Sequence, residues 1–153
     1  MKKRIIYIFK DIFIMENRNK ILLKFLVKHG MDVNKIVYKN GEIPLINACR
    51  SGNKDKIEYL LVEPGAYTNK VNKWSNKTPL LKAIKCRNKE LVKYLLENGT
   101  NINKENKECE TPLFKTIKRA NKDLDEYLVE HGTDIKQDMK HHYSMNTIVE
   151  KKI

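Results

Sequence analysis

Apolar positions recur along this chain in short blocks, each opened and closed by the same punctuation. Between residues 75 and 108, Leu80, Ala83 and Ile84 fall at i, i+3 and i+4 directly behind Thr78-Pro79. A second stripe, Leu91, Val92, Leu95 and Leu96, is backed by Lys89, Glu90, Lys93 and Glu97 and stops at Asn98-Gly99. The pattern predicts two short helices. Thr78 is the N-cap of the first, Pro79 takes the position where a missing N–H costs nothing, Arg87-Asn88 breaks the pair, and Gly99 ends the second. Asn101 to Thr111 is polar and reads as an extended, hairpin-like connector.

The block repeats on both sides. Pro44, Pro79 and Pro112 are spaced by 35 and 33, and Phe25, Tyr59, Tyr94 and Tyr127 by 34, 35 and 33. Gly30, Gly65, Gly99 and Gly132 repeat the stop. Helices below about 12–15 residues are marginal alone, so each unit must bury its apolar faces against its neighbours, as a solenoid does. A coiled coil is excluded because Pro and Gly interrupt every helix.

Taken in order, residues 1–40 form an irregular first repeat. Its first helix would cover the end of the stack with Ile5, Ile8, Phe9, Ile12 and Phe13. Its second runs from Asn19 to His29, with Leu22, Leu23, Leu26 and Val27 inward. Repeats follow at about 41–74, 75–108 and 109–140, with Asn40-Gly41 as a turn pair, and a partial unit over 141–153 completes one domain. Tyr59 to Gly65 is one step longer than Tyr94 to Gly99, which predicts a lengthened turn near Val62-Glu63-Pro64. Asp125 stands where Val92 and Ile57 stand, and a buried unpaired carboxylate is costly. That face is therefore expected near solvent or loosely covered.

Composition adds a basic character to this frame. The 153 residues carry a net charge of +12, with 31 Lys and Arg against 19 Asp and Glu. Either a compositional bias toward Lys and Asn, as in an AT-rich genome, or a selected basic surface accounts for it; both steer acidic partners. Cys49, Cys86 and Cys109 are odd in number, without a C-x-x-C or a paired His. This argues for reduced thiols in the cytoplasm or nucleus rather than a disulfide framework or zinc site. The opening MKKRIIYIFKDIFIM lacks a small-residue cleavage site and is too short to span a membrane. It reads as core, with a membrane-surface amphipathic helix as the other reading.

The recurring segments carry a family likeness. Thr78-Pro79-Leu80, Thr111-Pro112-Leu113, the degraded Ile43-Pro44-Leu45, Gly52-Asn53, and the endings His29-Gly30-Met31-Asp32-Val33-Asn34, Asn98-Gly99-Thr100-Asn101-Ile102-Asn103 and His131-Gly132-Thr133-Asp134-Ile135 resemble ankyrin repeat proteins over about residues 19–140. The resemblance implies an all-α solenoid of stacked helix-turn-helix units joined by hairpin-like loops, with about four repeats and a partial fifth. There are departures. Ile46, Leu81 and Phe114 replace the family's bridging His. Arg87 and Ala120 replace the glycine kept as Gly52, and Asn76 and Cys109 replace the turn glycine kept as Gly41.

The resemblance also implies a scaffold without chemistry or cofactor that binds a protein through connector tips and the exposed side of the first helices. Carried onto this chain, the tips are Lys39, Asn40 and Glu42; Trp74, Ser75 and Lys77; Lys107, Glu108 and Glu110. The helix positions are Arg50 and Ser51; Lys85 and Cys86; Lys118 and Arg119. Arg50, Lys85 and Lys118 each fall six residues after a proline, which stacking would set in one basic row. Trp74 is either an exposed hot spot or packed on the adjacent loop.

The expected partner is thus a protein or peptide with an acidic surface. A basic solenoid binding nucleic acid is the alternative. It is disfavoured because the cations are mostly Lys, carboxylates are interspersed and no aromatic stacking set appears. A monomer is expected, with end-to-end self-association open to the apolar start and the unfinished last unit. Enzyme readings find no support. His29 and His131 sit at the helix-ending position, His141-His142 lacks further metal ligands, Asp123 and Asp125 read as surface or end carboxylates, and there is no phosphate loop or nucleophile motif.

Overall fold

The computed structural model describes residues 20–35, 41–63, 65–72 and 74–137. The first helix expected over residues 1–17, the partial unit at 141–153 and Pro64 lie outside the described residues. Seven helices follow one another: α1 (Lys20–Lys28), α2 (Pro44–Ser51), α3 (Lys54–Val62), α4 (Pro79–Lys85), α5 (Lys89–Glu97), α6 (Pro112–Lys118) and α7 (Lys122–Glu130). No strand occurs among the described residues. The first helices α2, α4 and α6 pack side by side in a row, and each packs on its own second helix, α3, α5 or α7. Pro44, Pro79 and Pro112 each open a first helix, so they are ranked along the stack.

Local chemistry sets the helix boundaries. The Thr78 and Thr111 hydroxyls accept from the Leu81 and Phe114 N–H groups, both at 3.1 Å. Ile43 cannot do this, and α2 starts without a side-chain cap. Two second helices use asparagine instead, Asn53 accepting from Lys56 N–H and Asn88 from Leu91 N–H, while Asn121 opens α7 without a side-chain cap. At the far ends, the His29 and His131 Nδ1–H groups and the Asn98 amide each donate to the carbonyl four residues back, all at 2.7 Å. The two histidines are helix terminators, as their position predicts.

The core runs unbroken through the row. Leu45, Ala48, Leu80, Ala83, Ile84 and Leu113 from the first helices meet Leu60, Val92, Leu95, Leu124 and Leu128 from the second, with Leu23 and Leu26 of α1 at one end. Ile46 and Leu81, which stand where the family has His, are buried. The extra residue after α3 is absorbed in its C-terminal turn. Ala66 N–H reaches back six residues to the Leu60 carbonyl, whereas Met31, Thr100 and Thr133 reach back five. Asp125 departs from expectation: it is 5 % exposed, not loosely covered. Its neighbours Leu124 and Leu128 are buried and turn that face of α7 inward, at the register of Val92 and Ile57.

Backbone shape is kept where glycine is not. Gly52, Arg87 and Ala120 hold φ of +65°, +55° and +51°, and the tip positions Gly41, Asn76 and Cys109 hold +74°, +50° and +55°. Left-handed backbone costs a residue with a Cβ roughly 1–2 kcal/mol. An asparagine ladder supplies the hydrogen bonding between units that the missing His does not. Asn34 accepts from Tyr67 N–H (2.7 Å) and donates to the Gly65 carbonyl (3.2 Å). Asn69 repeats this on Asn101 N–H (2.6 Å) and the Gly99 carbonyl (3.2 Å), and Asn103 accepts from Asp134 N–H (2.9 Å).

Two outcomes follow for stability. Asn69→Ala is expected to cost about 1 kcal/mol in urea unfolding, against a much smaller change for the exposed Lys70→Ala; equal effects would remove the ladder's role. Ala120→Gly relieves the left-handed strain without touching the core, and is expected to stabilise by about 1 kcal/mol. An unchanged or lowered midpoint would count against that strain.

Candidate functional site

The tips are built by two equivalent asparagines. Asn72 Oδ1 accepts from the Ser75 N–H (2.8 Å) and hydroxyl (2.7 Å). Asn106 Oδ1 accepts from the Glu108 and Glu110 N–H groups, both at 2.9 Å. Each tip closes as a narrow hairpin, Asn72 N–H to the Lys77 carbonyl and Asn106 N–H to the Glu110 carbonyl. Lys107 N–H donates to the Ser75 carbonyl, which ties one tip to the next. Ser75 is therefore spent on the turn, while the Lys107 side chain is exposed.

Glu42 and Glu110 do not stand free on their tips. Glu42 is 5 % exposed and binds Lys82 of the following unit at 2.5 Å and Arg50 of its own at 3.5 Å. Glu110 is 8 % exposed; it binds Lys115 and, at 3.2 Å, Lys118, and accepts from the Asn106 amide at 2.9 Å. Desolvation pushes the Glu110 carboxyl up, but the hydrogen bonds from Lys115, Asn106 and Lys118 outweigh it and hold the group at about 2. Both glutamates are buried hubs that pin cations. Sequence reasoning missed Lys82 and Lys115, whose recurrence at a spacing of 33 was the available signal.

The basic row exists, since Arg50, Lys85 and Lys118 sit in the last turns of α2, α4 and α6. Its two ends are ion-paired and its middle is not: among the described residues, Lys85 and Lys77 have no carboxylate partner, and neither has Arg119. Cys86 and Ser51 are exposed beside the row; Cys86 donates weakly to the Arg50 carbonyl and Ser51 to the Ala48 carbonyl. Trp74 is 55 % exposed, with one side of its indole on Gly41 of the preceding tip. A Cβ at Gly41 would lie 2.8 Å from Trp74 Cδ2, so only glycine lets the ring settle there. The indole is thus both packed on the adjacent loop and open to solvent. Lys39 and Asn40 lie outside the described residues.

The family model for ankyrin repeats (3 copies) matches residues 12–72 and 64–139, which covers most of the chain. The chain belongs to the ankyrin repeat family. A comparison with curated proteins finds no match to it. Ankyrin repeats are generally protein–protein interaction modules and are typically non-enzymatic scaffolds. No helix among the described residues is long and apolar enough to cross a membrane.

Among the described residues, one buried cation lies away from the row. Lys56 of α3 is fully buried, and desolvation pushes its amine down to about 8. It follows the Asn53 cap on the inward side of the second helix, so it belongs to the interior of this ankyrin stack and not to its tips.

The depressed Glu110 acidity fixes a pH window. A carboxyl held at about 2, against an ordinary value of 4.5, contributes stability that is complete above pH 4.5 and is lost as pH falls toward 2. Glu110→Gln is expected to cost about 2 kcal/mol at pH 7, with less than half of that gap left at pH 3. Chemical denaturation of both proteins across this range checks it, and a pH-independent gap would be the wrong outcome.

Proposed function

We propose that this ankyrin repeat protein is a non-enzymatic interaction module that binds an acidic protein segment along its tips and first helices. The observation that carries the reading is the charge state of that face. Arg50, Lys85 and Lys118 are ranked on consecutive first helices, and Lys77, Lys85 and Arg119 have no ion pair among the described residues. Trp74 supports it, as an exposed indole held on Gly41 and three residues before Lys77 in the chain. An exposed aromatic anchor on a face with unpaired cations has the makeup of a binding hot spot, and the net charge of +12 speeds encounter with an acidic partner.

The test is affinity capture with quantitative mass spectrometry, comparing the natural chain with Trp74→Ala/Lys85→Glu at preserved circular dichroism. Acidic proteins captured by the natural chain are expected to fall about tenfold or more with the variant. An unchanged set would sink the assignment of this face. Salt-sensitive retention on DNA or RNA that is lost in the same variant would shift the reading to nucleic acid.

A further inference from the structure

Three tip glutamate positions are equivalent along the stack, and the middle one is a lysine. Glu42 and Glu110 each stand two residues before a first-helix proline; Lys77 stands there in the unit between them. The glutamates draw Lys82 and Lys115 into ion pairs, leaving these side chains only 12 % and 18 % exposed. Lys77 instead adds a charge of the same sign. The result is a recess between α4 and α6, lined by Lys77, Lys82, Lys85, Lys115 and Arg119, with Asn106 and Leu81 completing the wall. Two of its five cations are matched by carboxylates. Lys77, Lys85 and Arg119 are not, among the described residues.

We propose that this recess is a pocket for a phosphate monoester carried on a phosphorylated serine or threonine of the protein partner. The inference deepens the binding role proposed for this face and rests on it. Size supports it: the cavity is about 120 Å³, well above what a single water needs. A recess of that size admits a phosphate group on a short side chain. Charge supports it too. Three unmatched cations in one recess repel each other, and a phosphate brings about −1.5 to −2 charges at pH 7 where a carboxylate brings one. Donor geometry is favourable: Lys82 and Lys115 are oriented by their own carboxylates before any ligand arrives, and the planar Arg119 fork matches paired phosphate oxygens. The larger cavity between α3 and α5 has no such excess, because Glu90 and Glu97 face Lys54 and Lys93 in it.

The test uses the full chain, isotope-labelled for amide NMR, with Lys77→Glu as the principal variant. That substitution installs the residue type the flanking units already hold. Lys85→Met is the second variant, at an exposed position. Inorganic phosphate is expected to give saturable shifts centred on Lys77, Leu81 and Asn106, unlike chloride at matched ionic strength, with affinity reduced about tenfold or more in either variant (about 1.4 kcal/mol per tenfold). Shifts spread over the whole surface, or equal binding by both variants, would overturn the pocket. An acidic peptide with one phosphoserine is then compared with the same peptide bearing glutamate. Tighter binding of the phosphorylated form that disappears in Lys77→Glu is the expected result. Phosphate binding without this preference would overturn the protein-borne source in favour of a free phosphate. Peptides that bind equally, and still depend on Trp74, would remove the pocket while leaving the binding face standing. Loss of all peptide binding would remove both.

Discussion

Seven or eight residues of helix cannot hold themselves together in water, and every first helix here has only that many. Each therefore depends on lateral burial. Leu80, Ala83 and Ile84 are fully buried because α4 is covered by α2 on one side, α6 on the other and α5 behind. This single requirement explains why the polar chemistry is pushed to two margins. One is the row of tips, where Asn72 and Asn106 close the hairpins. The other is the loop side, where Asn34, Asn69 and Asn103 stitch each unit to the next. Buried backbone groups must be paired, and in a line of repeats the neighbouring unit is the partner always within reach.

Features that depend on a few consecutive residues were legible in the sequence. Thr78-Pro79 and Thr111-Pro112 start helices through a hydroxyl and a ring that act within one turn, and His29 and His131 end them through a carbonyl four residues back. The lengthened turn after Val62 was readable by counting. The left-handed Arg87, Ala120 and Cys109 were suggested only by alignment with Gly52 and Gly41, since nothing in an arginine or an alanine announces a positive φ. They repeat the backbone shape that glycine takes at the same places in the other units, so the fold as a whole carries the local cost.

What stayed hidden depends on residues far apart in the chain. A glutamate on a polar hairpin looks exposed, and Glu42 is drawn in by Lys82, forty residues on, which belongs to the next unit. Asp125 looks too polar to bury, yet the leucines beside it fix the face of α7. The basic row was visible as a spacing, but not its division into paired ends and an unpaired centre, which required distances. Likewise, the question of whether Trp74 packs or projects had no answer in composition. It turned on Gly41, a tip residue one repeat earlier, whose missing Cβ makes the seat.

The charge pattern separates what holds the stack from what the stack presents. Glu42 and Glu110 are low in exposure, and removing either would strand cations in a partly dry setting, where an unmatched charge costs far more than at the surface. They are structural by position. Lys77 occupies the same place and makes the opposite contribution, since it raises the local density of like charge and has no carboxylate partner among the described residues. A fold selected only for stability would favour glutamate at all three positions, as the two outer units have it. The exception falls in the central unit, the one flanked on both sides by first helices and next to the exposed Trp74. Like charge gathered there favours an anion over an empty recess, which is the physical ground for the phosphate pocket proposed above.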